Sequence, residues 1–236
     1  MKQFRYAVAL IVSFGAAVTY FSLDSSRASP NGVIAQSRTS LLPSGQGFDF
    51  YVLALSWSPS YCQDSRARSR DTQQCNGPRP FGFVVHGLWP QFERGYPKAC
   101  QTRFRGPSDE DTRAMLDIMP SQRLVQHQWE QHGACSGLSV KDYLTVTRAA
   151  FEAVAIPTEF QSATQWQRQS AGDIEAAFIR ANPAFSKAGI AVSRRGNLLS
   201  DVRMCFNRAL EPRACGEVDA GGSPAQTRVT LPPSRG

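Results

Sequence analysis

The chain has 236 residues, 42% of them hydrophobic and 19% charged, with a formal charge of +7. That composition excludes a largely disordered chain and supports one sizeable core, so one domain is the expectation. Four of the 26 basic residues are lysines (Lys2, Lys98, Lys141 and Lys187) and the rest are arginines. The planar arginine fork suits phosphate, so the charge fits a polyanionic partner such as nucleic acid, or an anionic membrane face.

From the N-terminus, Lys2 and Arg5 precede an apolar stretch over residues 7–18, and the small residues Ser26 and Ala28 follow. This is the pattern of a signal peptide over residues 1–28, with an apolar run short for a membrane span. A periplasmic or secreted protein is therefore expected, with no stable membrane association after cleavage. Residues 29–45 read as a flexible leader, 46–218 as the folded domain, and 219–236, rich in Gly, Pro and Ser, as a flexible tail.

Within the domain, residues 48–57 are aromatic and branched with partial alternation, which predicts a strand. A basic loop between Cys62 and Cys75 follows. Residues 81–90 predict a second strand stopping at Gly87 and Pro90, which puts His86 at a strand end and Trp89 in the turn beyond it. Ser108 with Asp111 predicts a capped helix that Pro120 stops. Residues 124–133 form a short helix ended by Gly133, and Ser139 with Asp142 opens a longer one to residue 154. Residues 170–181 predict another helix, and 189–195 with 198–206 a hairpin turned at Gly196-Asn197. Strands and helices interleave without a strict βαβ rhythm, so the fold class is α+β.

Six cysteines (Cys62, Cys75, Cys100, Cys135, Cys205 and Cys215) in an exported chain read as disulfides, with 15 possible pairings. The absence of a CxxC pattern argues against a zinc site.

The three histidines, His86, His127 and His132, all lie in two short aromatic segments, HGLWP and HQWEQHGAC. Imidazole titrates near neutrality, so two of them across a cleft divide a proton transfer, one taking a proton while neutral and the other giving one while charged. RNA cleavage needs such a pair, one for the 2′-hydroxyl and one for the departing 5′-oxygen, with a cation at the phosphate. His127 and His132 are five residues apart, about 140° around a helix, which is poor geometry for one metal ion. Buried histidines bonded to backbone are the bland alternative.

FVVHGLWP followed by HQWEQHGAC resembles the two active-site segments of the ribonuclease T2 family, secreted or periplasmic endoribonucleases. FDFYVLALSWSPSYC and DVRMCFNRALEPRAC extend the resemblance over roughly residues 46–216. It implies a central antiparallel β-sheet with packed helices, no metal or other cofactor, and single-stranded RNA rather than DNA as substrate for a monomer. It implies His86 as the acid toward the 5′-oxygen, His132 as the base, His127 as a phosphate holder and Trp89 as a base-stacking aromatic. It also implies the pairs Cys62–Cys75, Cys100–Cys135 and Cys205–Cys215. The family's second motif reads HEW, then KHG two residues on; here Gln128 stands for the Glu that assists at the phosphate and Gln131 for the Lys. Gln128 cannot carry a proton or a charge, and Gln131 keeps a donor without the cation. The expectation is a metal-independent endoribonuclease forming 2′,3′-cyclic phosphate with little base specificity; the alternative is a catalytically impaired RNA-binding module.

Overall fold

A computed structural model describes residues 42–161 and 163–234. The expected signal peptide and all but the last four residues of the expected leader lie outside the described residues.

In chain order, strand β1 (Phe50–Trp57) leads into three short helices, α1 (Ser58–Tyr61), α2 (Ser65–Arg70) and α3 (Thr72–Asn76). Strand β2 (Phe83–Gln91), α4 (Asp109–Arg113), α5 (Gln122–Gln131) and a 3₁₀ turn (Gly133–Ser136) follow. Then come α6 (Val140–Glu152), α7 (Thr158–Gln161), β3 (Gln167–Ser170), α8 (Ala171–Ala181), β4 (Ile190–Arg195), β5 (Leu198–Phe206), α9 (Gly216–Ala220) and β6 (Arg228–Leu231). The segment between Cys62 and Cys75, expected as a loop, is thus mostly short helix.

The six strands form one sheet in the order β2-β1-β5-β6-β3, with β4 also on β5. All pairings are antiparallel except a single parallel pair between Leu198 and Thr230. This is an α+β architecture. Gly196, at φ +63°, makes the tight β4–β5 turn that its missing Cβ permits.

The two faces of the sheet differ because strand residues alternate. Tyr51, Leu53, Leu55 and Trp57 of β1 face the main core, packed with residues of α6 and α8 such as Tyr143, Val146, Ile174 and Phe178. Val52, Ala54 and Ser56 face the other way, opposite Trp89, Gly87 and Val84 of β2 and Cys205, Arg203 and Asp201 of β5. That second face is small and polar at its centre, and the candidate site residues collect there.

Serine caps set the helix starts. Ser108 and Ser170 each form a reciprocal capping box with the acid three residues on, and Ser139 accepts from the Asp142 N–H. Each such cap stabilises its helix by about 1 kcal/mol. The helix expected up to Pro120 is shorter than its pattern: regular helix ends at Arg113 and turns continue to Met119. The turn's Ile118 carbonyl accepts from the Val85 N–H at 2.8 Å, satisfying part of the outer edge of β2.

Two expectations are corrected. Strand β2 does not stop at Gly87 or Pro90 but runs to Gln91. It is an edge strand, where one side of the backbone has no ladder to complete and proline is tolerated. The segment from Asp219 is not a free tail: β6 pairs with β3 and β5, Val229 and Leu231 are fully buried, and the Trp57 indole donates to the Pro232 carbonyl at 3.0 Å. Three disulfides join Cys62 to Cys75, Cys100 to Cys135, and Cys205 to Cys215.

Candidate active site

The site forms where the second face of the sheet meets the C-terminal end of α5. On β1 and β2, Ala54 pairs with Gly87 but the next β1 residue, Leu55, pairs with Val85. His86 is the extra residue of this β-bulge. A bulge bends the strand and re-aims a side chain. Here it leaves the half-buried His86 ring with Nδ1 3.2 Å from Oδ1 of Asp201 on β5.

Asp201 is buried, at 5% exposure. Its Oδ1 accepts from the Ser56 hydroxyl at 2.7 Å, and its Oδ2 accepts from Ser193 at 3.0 Å and Ser200 at 2.9 Å. Burial would raise this carboxyl, but hydrogen bonding and charge from His86, then the Ser56 and Ser200 hydroxyls, hold it well below the ordinary carboxylate range.

Trp89 stands between the two motif histidines. Its ring centroid is 5.3 Å from that of His86, edge to face, and 5.3 Å from that of His132, tilted by 32°. Its Nε1 donates to Oε1 of Gln128 at 2.7 Å. Gln128 is 2% exposed, so it serves as a strut fixing the indole rather than as an exposed group in the cleft. Gly87 makes the strut possible: a Cβ there would lie 2.1 Å from Gln128 Oε1 and 2.6 Å from Trp89 Nε1. The Arg203 guanidinium lies 5.5 Å from the Trp89 ring centroid, and its Nε is buried without a partner.

His132 is mounted differently. It closes α5 with φ −133° and opens the 3₁₀ turn, its N–H donating to the Gln128 carbonyl at 3.0 Å. Its Nδ1 is buried without a partner among the described residues. Burial, then the charges of His86, His127 and Lys98, push its pKa down to about 4. His127 is exposed on α5, and Gln131 is half-buried one residue before His132. The Cys100–Cys135 bridge ties the loop bearing Lys98 to the turn after His132, and the Ala99 N–H donates to the Gln131 carbonyl at 3.0 Å. Closing 35 residues, that bridge contributes on the order of 3–4 kcal/mol in the chain-entropy account.

On its other side His86 lines a cavity of about 240 Å³ shared with Tyr61, Asp71, Arg123, Leu124 and Arg195. Asp71, buried among the Tyr61 hydroxyl, the Ser121 hydroxyl at 2.8 Å and the Arg70 and Arg123 guanidiniums, joins the start of α5 to the short helices after β1. The structure therefore gathers His86, Trp89, Gln128 and His132 around one indole, with His127 and Gln131 at the rim. Sequence reasoning missed Asp201 and Arg203. The signal for both was a lone acid and a lone base two residues apart in the apolar strand LLSDVRMCF, where burial forces partners or function.

The fold and site together define an α+β protein braced by three disulfides, with two imidazoles flanking a single indole. The sequence model of the ribonuclease T2 family matches residues 48–215. The chain belongs to the ribonuclease T2 family. It is 49% identical over 96 residues to a ribonuclease of Aeromonas hydrophila, covering 41% of each chain. It is 32% identical over 148 residues to a probable ribonuclease of Haemophilus influenzae, covering 57% of this chain and 54% of that one. The chain thus spans about half the length, or less, of these curated relatives. Trichomaglin, described as an S-like ribonuclease, superposes with a TM-score of 0.61 at 21% identity, covering 80% of this chain and all of that one. An RNase-related protein from Calystegia sepium gives 0.59 at 18% identity with the same coverage. These two likenesses establish the fold.

Proposed function

We propose that this chain is an exported, metal-independent endoribonuclease that cleaves single-stranded RNA through a 2′,3′-cyclic phosphate, with little base specificity. The observation that carries the reading is the pair of imidazoles on either side of Trp89, set in opposite environments. His132, with burial favouring its neutral form down to about pH 4, takes the 2′-hydroxyl proton. The 2′-oxygen bonds to phosphorus, the bond from phosphorus to the 5′-oxygen breaks, and His86 gives its proton to that oxygen. The products are a 2′,3′-cyclic phosphate and a free 5′-hydroxyl. DNA lacks the attacking hydroxyl and is inert.

Arg203 supplies positive charge beside the phosphate, where Gln131 brings none, and exposed His127 helps to hold it. Trp89 positions both histidines and offers its remaining surface to a base. The cavity beyond His86 receives the nucleotide that departs, with Arg123 and Arg195 at its edge. Three disulfides suit an exported chain, which the N-terminal pattern also favours.

The test is incubation with single-stranded RNA in EDTA between pH 3 and 8, with analysis of the ends. Cyclic phosphate ends are expected, with kcat/KM falling as pH drops through about 4 and His132 becomes protonated and unable to act as base. RNA that binds without being cut would mean the glutamines at 128 and 131 have left a binding module. Cleavage abolished by EDTA would sink the mechanism.

A further inference from the structure

We infer that Asp201 is a positioning residue for His86, fixing the ring's tautomer and orientation so that Nε2 is the nitrogen presented to the departing 5′-oxygen. This rests on the ribonuclease reading above.

A buried carboxylate on a central strand is expensive to desolvate, and an apolar residue of similar size would serve the fold as well or better. This one is retained with four donors from four strands: Ser56 of β1, His86 of β2, Ser193 of β4 and Ser200 of β5. Ser56 and Ser193 lie directly opposite Asp201 on the neighbouring strands, so the register itself delivers two of the hydroxyls. Among the described residues its only ion-pair partner is His86. The serines hold the carboxylate in place, and the bulge brings the imidazole to it.

The chemistry follows from which nitrogen is taken. A carboxylate accepting from Nδ1 keeps Nδ1 protonated in both charge states, so the exchangeable proton is the one on Nε2. Once Nε2 has given that proton, the neutral ring is left with Nδ1–H bonded to Asp201 and a free lone pair at Nε2. Among the described residues His132 Nδ1 has no such partner, so the two rings are held by different means. The other groups facing His86 are His132 from the end of α5, Arg203 across Trp89, and Asp71, Arg123 and Arg195 around the adjoining cavity. Most of these are cationic when charged, and Asp201 is the carboxylate in contact with the ring.

Two measurements test this. The first uses the intact protein: ¹⁵N imidazole shifts of His86, assigned by their loss in His86→Gln, followed across pH. Above its titration the neutral ring should be the Nδ1–H tautomer; a neutral ring protonated on Nε2 overturns the proposal whatever the variants do. The second compares Asp201→Asn and Asp201→Glu with the parent on a dinucleoside monophosphate and on the matching nucleoside 3′-(4-nitrophenyl phosphate). The aryl ester needs no acid, because nitrophenoxide leaves unprotonated. Asp201→Asn should lower kcat on the dinucleotide about 100-fold with little change in KM, and leave the aryl ester within about threefold. Asp201→Glu should recover part of the loss, since it keeps a carboxylate for Nδ1. Equal losses on both substrates would show that Asp201 only holds the sheet together. A parent protein that cuts neither substrate, or leaves no cyclic phosphate, would instead refute the ribonuclease reading.

Discussion

His86 and His132 present the same imidazole, each 5.3 Å from the same indole, yet the molecule mounts them in opposite ways. His86 rides on a sheet, at a bulge, with its inner nitrogen on a buried carboxylate held by three serines. His132 caps a helix, with its inner nitrogen buried and unpartnered and its charged form disfavoured. The contrast teaches that neighbouring groups, not the residue type, set what an imidazole can do, and the proposed division into acid and base rests on it.

The largest effect should come from removing either member. His86→Ala and His132→Ala should each lower kcat/KM on single-stranded RNA by about 10³- to 10⁴-fold, measured by initial rates. Robust turnover by either variant would mean the two rings do not share the proton transfer. A smaller effect should come from disturbing what lies between them. Gly87→Ala puts a methyl group into the Trp89–Gln128 contact, so it should cost roughly 10²-fold in kcat and shift tryptophan fluorescence while the fold persists. Unchanged rates and emission would show that the indole is not held by that strut. The smallest change should come from restoring the family residues. Gln128→Glu keeps the acceptor for the Trp89 indole, and Gln131→Lys adds a cation beside His132. Together they should raise kcat, but by less than the 10²–10³ of a full charge-stabilising donor, because Arg203 already lies nearby. A rate that is unchanged or lower would show that the present glutamines are already accommodated.

Much of this was legible in the sequence where the determinants are local. The caps at Ser108 and Ser139 and the Gly196 turn each need only a few adjacent residues, and each forms where its pattern stands. The two histidine motifs were likewise readable as short strings. What was not legible depends on pairing. Gly87 and Pro90 look like stop signals until β2 is known to lie at the sheet edge, and residues 228–231 look like a tail until β3 and β5 supply partners. Asp201 and Arg203 were hidden for the same reason. Their meaning comes from Ser56, Ser193 and Trp89, which lie between 8 and 145 residues away in the chain.

The bulge at His86 also bears on how this chain tolerates length change. Strand β2 carries one residue more than its partner requires between Ala54 and Leu55. Deleting that residue would leave a more regular ladder, with every side chain from Leu88 to Gln91 still opposite its present neighbour. The backbone would lose nothing, while the carboxylate at 201 would face an empty place. A single-codon deletion here is thus a change that regularises the ladder and leaves a buried carboxylate without its ion-pair partner. In the proposed function the surplus residue serves the reaction rather than the sheet.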